Sequence, residues 1–91
     1  MSTTAACYLV EWYQPPVTEA ALSQTANKLA AIAADMSARG HPVRLLTMVS
    51  VPADEVLFGV FTAESADLVG QTCDCAGIPA SRLATATATS T

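Results

Sequence analysis

Charge is scarce in this chain, and so are the residues from which most catalytic and metal centres are made. Only 13% of its 91 residues are charged, against about 25% in an ordinary globular domain. Four basic side chains stand against eight acidic ones. That balance cannot neutralise a phosphate backbone or an anionic bilayer, which argues against nucleic acid and anionic membranes as partners. His41 is the single histidine, so any Ser–His or Cys–His nucleophilic machinery would have to use it. Three cysteines are an odd number and too few for a disulfide scaffold, which fits a reducing, cytoplasmic compartment. No run reaches the roughly 18 apolar residues a membrane span needs. Residues Met1 to Ala6 carry no basic cluster ahead of an apolar core, which argues against a signal peptide. The glycines at 40, 59, 70 and 77 match neither dinucleotide-binding nor P-loop spacing. His-Glu-x-x-His, paired Cys-x-x-Cys, Ca²⁺-loop patterns and internal repeats are all missing.

What is present is apolar: 52% of the residues. A chain of this length makes one domain, 1–91, near the small end of what folds unaided. Residues 1–6 and about 87–91 are expected as flexible ends. A small domain has a large surface for its volume, and twelve charged side chains cover little of it. Some apolar surface should therefore be hidden against another molecule, and a second copy is the simplest candidate.

The organising stretch runs from Val43 to Phe61. Val43 to Val51 and Val56 to Phe61 are rich in β-branched and aromatic residues, and Pro52-Ala53-Asp54-Glu55 separates them, so they read as an antiparallel pair. Before it, Cys7 to Tyr13 forms a strand stopped by Pro15 and Pro16. Thr18 then caps a long helix, with Glu19 in its first turn and Val17 and Leu22 at the staple positions. Leu22, Ala26, Leu29, Ala33 and Met36 recur at helical spacing, and Ile32 widens the stripe. Arg39 complements the helix dipole, Gly40 supplies a left-handed cap and Pro42 forbids continuation. After the hairpin, Ser65 caps a second helix to about Ala76, with Leu68, Val69, Cys73 and Ala76 on one side. Gly77 and Pro79 stop it. Ser81 to Thr85 reads as a fourth strand, and the Ala-Thr alternation from Ala84 to Thr91 either extends it or trails away.

The order strand, helix, strand, strand, helix, strand, with right-handed crossovers, predicts an α+β fold of the ferredoxin-like βαββαβ kind. It places a four-stranded antiparallel sheet under two helices on one face. The strands lack the alternation that a wet outer face would require. Val56, Phe58 and Val60 oppose Leu57 and Phe61, and Leu46 and Met48 oppose Val43, Leu45, Val49 and Val51. Both faces are apolar, so a homodimer pairing sheet to sheet, in a dimeric α+β-barrel-type assembly, is expected.

Three segments carry a likeness to known proteins: Tyr8-Leu9-Val10-Glu11 followed by Pro15, the Thr-Glu-x-x-Leu start at Thr18, and Ala76-Gly77-Ile78-Pro79-Ala80-Ser81-Arg82. In these the chain resembles a family of small bacterial ferredoxin-like proteins, often labelled a domain of unknown function, whose named type binds nickel. The resemblance implies sheet-to-sheet dimers and a divalent transition metal such as nickel. The family pattern tends to place a histidine and basic residues late in the second helix, where this chain has Thr72-Cys73-Asp74-Cys75. No metal ligands are therefore carried over.

Residues two apart on a helix point about 200° from each other, so Cys73 and Cys75 cannot grip one ion together. Packing for Cys73 and partial exposure for Cys75 is the expected arrangement. His41, between Gly40 and Pro42, suits a capping or exposed role at a helix C-terminus. Glu11 is the most informative polar residue, because it lies mid-strand among apolar neighbours. Arg44 and Arg82, also on strands, are its obvious ion-pair partners. If instead it faces a pocket between sheets, Trp12, Tyr13 or Phe58 would supply apolar walls. Candidate ligand-binding residues are thus Glu11, Trp12, Tyr13, His41, Arg44 and Phe58. With no catalytic motif, the expected function is that of a small cytoplasmic homodimer binding a small ligand or transition metal. The alternative, on fold analogy, is a cofactor-independent oxygenase or isomerase of the dimeric α+β-barrel type.

Overall fold

The computed structural model describes residues 6–87. Strand β1 (Ala6–Tyr13) is followed by helix α1 (Glu19–Ala38), strands β2 (Val43–Val51) and β3 (Val56–Ala63), helix α2 (Ala66–Cys75) and strand β4 (Arg82–Ala86). The four strands form one antiparallel sheet in the order β2-β3-β1-β4, with β1 and β3 at the centre. This is the ferredoxin-like order expected from the sequence. Ala6 belongs to β1 rather than to a loose end. The expected ends 1–5 and 88–91, and with them the fate of the Ala-Thr repeat past Thr87, lie outside the described residues.

Local chemistry sets the helix limits. Thr18 Oγ1 accepts from the Ala21 backbone N–H and Ser65 Oγ from that of Leu68, so each cap satisfies one orphan donor. Both helices close on a glycine at positive φ, Gly40 at 88° and Gly77 at 78°. The His41 and Ile78 N–H groups then donate back to the Met36 and Cys73 carbonyls, each at 3.0 Å. His41 is thereby the closing residue of α1, as its sequence position suggested.

The core lies between the helices and one sheet face. Phe61, Leu29, Val10 and Val69 are fully buried there, with Tyr8, Trp12, Val43, Leu57 and Ala63 around them. Leu22, Ile32 and Met36 of α1 pack against this cluster, in keeping with the predicted stripe. Thr72 is the buried residue that the apolar pattern missed. Its hydroxyl donates to the Leu68 carbonyl at 2.8 Å and also lies 3.1 Å from the Met36 sulfur, so burial leaves it satisfied.

Strand β2 differs from the expectation. Val43 pairs with Ala63 and Leu45 with Phe61, but the next partner, Val60, meets Thr47, because the register slips by one residue at Leu46. The extra residue reverses the alternation. Val43, Leu45 and Met48 therefore face the helices, whereas Val49 and Val51 face away. The strict period-two assignment that grouped Val43 and Leu45 with Val49 and Val51 does not hold.

Gly59 answers to a close approach. A Cβ there would lie 2.9 Å from two atoms of the Trp12 ring and 3.2 Å from Phe61. Gly70, in α2, has nothing within 4 Å of the same position. Gly59→Ala should therefore cost about 1–3 kcal/mol by overpacking. Gly70→Ala should gain up to about 1 kcal/mol from helix propensity. Urea unfolding of both variants checks the opposed signs, and a stable Gly59→Ala would mean that the Trp12 ring can move aside.

Candidate functional site

The strand register fixes the sheet face that the helices leave uncovered. Directly paired residues share a face, so this one reads in rows across β2, β3, β1 and β4. The first row is Arg44, Thr62, Cys7 and Ala86; the second is Thr47, Val60, Leu9 and Ala84. The third is Val49, Phe58, Glu11 and Arg82, and Val51, Val56 and Tyr13 complete the end. Most of these side chains are apolar, yet few are fully covered. Val49 and the bulged Leu46 are each 47% exposed.

One polar cluster stands on this floor. Arg82 Nη1 donates to Glu11 Oε2 at 3.0 Å, and the Tyr13 hydroxyl donates to Glu11 Oε1 at 3.1 Å. The Glu11 side chain is only 13% exposed while that of Arg82 is 64% exposed. The carboxylate is thus sunk, with each oxygen accepting one hydrogen bond, and it holds two outward polar groups in place. The Tyr13 phenol is pushed above its ordinary value of 10.0 by desolvation and by the hydrogen bond and negative charge of Glu11, with Arg82 pulling the other way. β4 is anchored beside this corner, because the Ser81 N–H donates to the Glu11 carbonyl and the Tyr13 N–H to Ser81 Oγ.

The six candidate residues do not all meet. Glu11, Tyr13 and Phe58 share one corner of the uncovered face, with Arg82, whose role as a partner of Glu11 the sequence suggested. Arg44 shares the face but stands in the row farthest from Tyr13, and makes no ion pair within 4 Å among the described residues. Trp12 is on the opposite face, 4% exposed, its indole N–H donating to the Ile78 carbonyl at 2.8 Å. The structure assigns it to the core. His41 is exposed in the α1–β2 connection. Leu9, Val60 and Ala84, which complete the floor, were absent from the candidates because a strand apolar on both sides gives no sign of which side stays open.

The clefts elsewhere are open. One of about 160 Å³ lies between the end of α1 and the start of β2, lined by Ser37, Pro42, Val43, Arg44, Thr62 and Glu64 among others. Another involves Tyr13, Gln14, Pro15, Asp54 and Glu55. Among the described residues no group of three or more His, Cys, Asp or Glu side chains is placed to hold a metal ion.

Cys73 is fully buried and Cys75 exposed. Burial first, and the neighbouring charge of Asp74 second, push the Cys73 thiol up to about 12. The folded chain keeps this proton, while the unfolded chain releases it near the ordinary 9.0. Its contribution to stability is therefore full below 9.0 and lost as pH rises toward 12. Thermal melts across that range should show a shallower alkaline loss in Cys73→Val than in the parent chain. In native labelling Cys75 should react with iodoacetamide while Cys73 stays protected.

Fold and uncovered face together define a small ferredoxin-like domain. Similarity to known proteins stops at that level. No family model matches the chain, and no curated protein matches it. Among solved structures, the crystal structure of SCO4226 from Streptomyces coelicolor A3(2) is similar, with a TM-score of 0.80 and 17% identity. The match covers 93% of this chain and 100% of that one. At such identity the likeness shows the fold alone. No helix among the described residues is long and apolar enough to cross a membrane.

Proposed function

We propose that this protein is a small binding protein that works as a homodimer, pairing its uncovered sheet faces and holding a small ligand between them. The observation that carries the reading is the sunken carboxylate of Glu11 in an apolar floor that none of the described residues covers. A flat, half-exposed apolar face is costly in water, at roughly 25 cal/mol per Å². A second copy is favoured as the cover by the distribution of charge. Seven of the eight acidic residues lie off this face, on the helices, turns and loops. Pairing sheet to sheet leaves both acidic surfaces in water, whereas stacking sheet on helices would bury part of one.

Binding is favoured over an oxygenase or isomerase activity by the state of Glu11. Each of its oxygens already accepts a hydrogen bond, from Tyr13 and Arg82, so it serves to hold those two side chains in place. A transition metal, nickel in the family the chain resembles, would need donors from two protomers, because one protomer brings too few together among its described residues. A cytoplasmic location accords with the free thiols.

Light scattering at micromolar concentration tests the assembly, and a dimer mass is expected. Native mass spectrometry of the protein purified from its own host tests the cargo. A dimer carrying a small organic mass supports the reading, and a bare monomer overturns it.

A further inference from the structure

We infer that the outer edge of β2 is a second contact surface, on which another copy of this chain adds its own β2 antiparallel, centred on Val49, with Arg44 of each copy meeting Asp54 of the other. This surface is separate from the uncovered face and does not depend on its pairing. β2 is an edge strand, and such a strand presents a row of outward N–H and C=O groups. Backbone groups point alternately to the two sides of a strand. Val43 turns both of its own outward, where Ser37 Oγ accepts from the N–H at 3.1 Å and donates to the carbonyl at 3.0 Å. Counting on through the register, with the bulge as one step, Met48 and Ser50 also point outward. Among the described residues neither has a cap of the Ser37 kind. Thr47 to Val51, between the bulge and Pro52, carries no charge, and Val49 in its middle is 47% exposed. Native edges are ordinarily guarded by charge or proline.

The occupant follows from spacing and charge. In an antiparallel pair, outward groups must face outward groups. Placing Val49 opposite its own copy sets Met48 against Ser50 and Ser50 against Met48, so each copy uses both. A twofold axis there also brings the charged flanks into line. From Val49 back to Arg44 is four strand steps, the bulge counted once, or about 13 Å at about 3.3 Å each. From Val49 on to Asp54 is two such steps and the 3₁₀ turn Pro52–Asp54 at about 2 Å per residue, again about 13 Å. Arg44 and Asp54 are both exposed, and neither makes an ion pair within 4 Å among the described residues. A second copy gives each an opposite charge, twice per pair. The same axis sets both α1 helices on one side of the joined sheet. The flank of α1 above β2 carries Ala30, Ala34 and Ser37, so small uncharged side chains face the neighbouring helix. Each copy occupies its one β2 edge, and the contact closes at two.

A ladder from Thr47 to Val51 is short and buries less than the roughly 1,200 Å² of a stable complex, so the contact should show near millimolar rather than micromolar concentration. The test uses the Phe58→Asp chain, in which a charge blocks the uncovered face and remaining association reports the edge. Sedimentation over a concentration series is expected to show a dimer forming near millimolar, and amide exchange at Met48 and Ser50 should slow as it forms. Arg44→Glu in that background should weaken association about tenfold, because both ion pairs become repulsions. Asp54→Lys should do the same, and the two together should return association to within about threefold of Phe58→Asp alone. The parent chain reads the same edge without Phe58→Asp, as further association above its micromolar dimer that Asp54→Lys weakens. A monomer at millimolar concentration, single variants without effect, or a double variant weaker than either single one overturns the inference. None of these results touches the paired faces, which the parent's micromolar mass tests. A Phe58→Asp chain that pairs at micromolar concentration and follows the charge swap keeps the edge and overturns the face.

Discussion

A Phe58→Asp chain is expected to run as a folded monomer at concentrations where the parent runs as a dimer. Phe58 sits mid-strand in β3, its neighbours across the ladder being Glu11 and Val49. It faces away from the helices and takes no part in the buried core. An aspartate there is solvated in the free protomer, so the fold should lose little. In the proposed dimer it would be enclosed next to Glu11, with Arg82 already engaged. Burying an unpaired charge costs about 3–5 kcal/mol, and each tenfold in affinity is about 1.4 kcal/mol. With two copies per dimer, dissociation should rise by about 10⁴-fold or more. Asn27→Asp, at an exposed position of α1, adds the same charge and should leave the mass unchanged. Sedimentation of both variants, with circular dichroism to confirm folding, decides the matter. A dimeric Phe58→Asp would place the interface elsewhere, with the edge strand β2 and its exposed Leu46 the next surface to examine.

The residues that carry these expectations differ in how visible they were in the sequence. Thr18, Gly40, Ser65 and Gly77 announce the helix limits because capping is local chemistry. Each needs only its own turn to act, and each acts as expected. Leu29, Ala33, Val69 and Cys73 follow from periodicity for the same reason. The bulge at Leu46 is a tertiary feature, visible only in the register. Leu45 and Met48, three apart, both face the helices, and that odd spacing breaks a period of two. Thr72 was hidden because its partners are a carbonyl one turn back and a sulfur on the other helix. Glu11 was legible as out of place, with Arg44 and Arg82 as its two possible partners on strands, and the β1–β4 register selects Arg82. That Trp12 would turn to the core while Tyr13 turned outward follows from alternation once one face is known. Which face stays open depends on where the helices pack, and no single strand records that.

Glu11→Gln is expected to weaken the dimer far more than it weakens the protomer. In the protomer the pair is half in water, Arg82 being 64% exposed, and an ion pair of that kind contributes about 0.2–1 kcal/mol. Once a second sheet covers it, removing the carboxylate strands the Arg82 guanidinium in a dry setting, and the loss should grow to about 3–5 kcal/mol. Unfolding of the isolated protomer, in the Phe58→Asp background, should therefore move by less than about 1 kcal/mol, while dimer dissociation, with two such sites, shifts by about 10³-fold or more. Tyr13 supplies an independent reading of the same site. Its phenol is held above 10.0 partly by the hydrogen bond and charge of Glu11, and Gln removes the charge. The Tyr13 titration, followed by ultraviolet absorbance in a Tyr8→Phe background, should move down in Glu11→Gln. The stability linked to that proton is present below 10.0 and is lost as pH rises through the higher folded value, so the alkaline loss should be smaller and end at a lower pH in the variant. An unchanged titration would mean that the hydroxyl does not rest on Glu11 in solution. Equal losses in protomer and dimer would mean that no second sheet covers the pair.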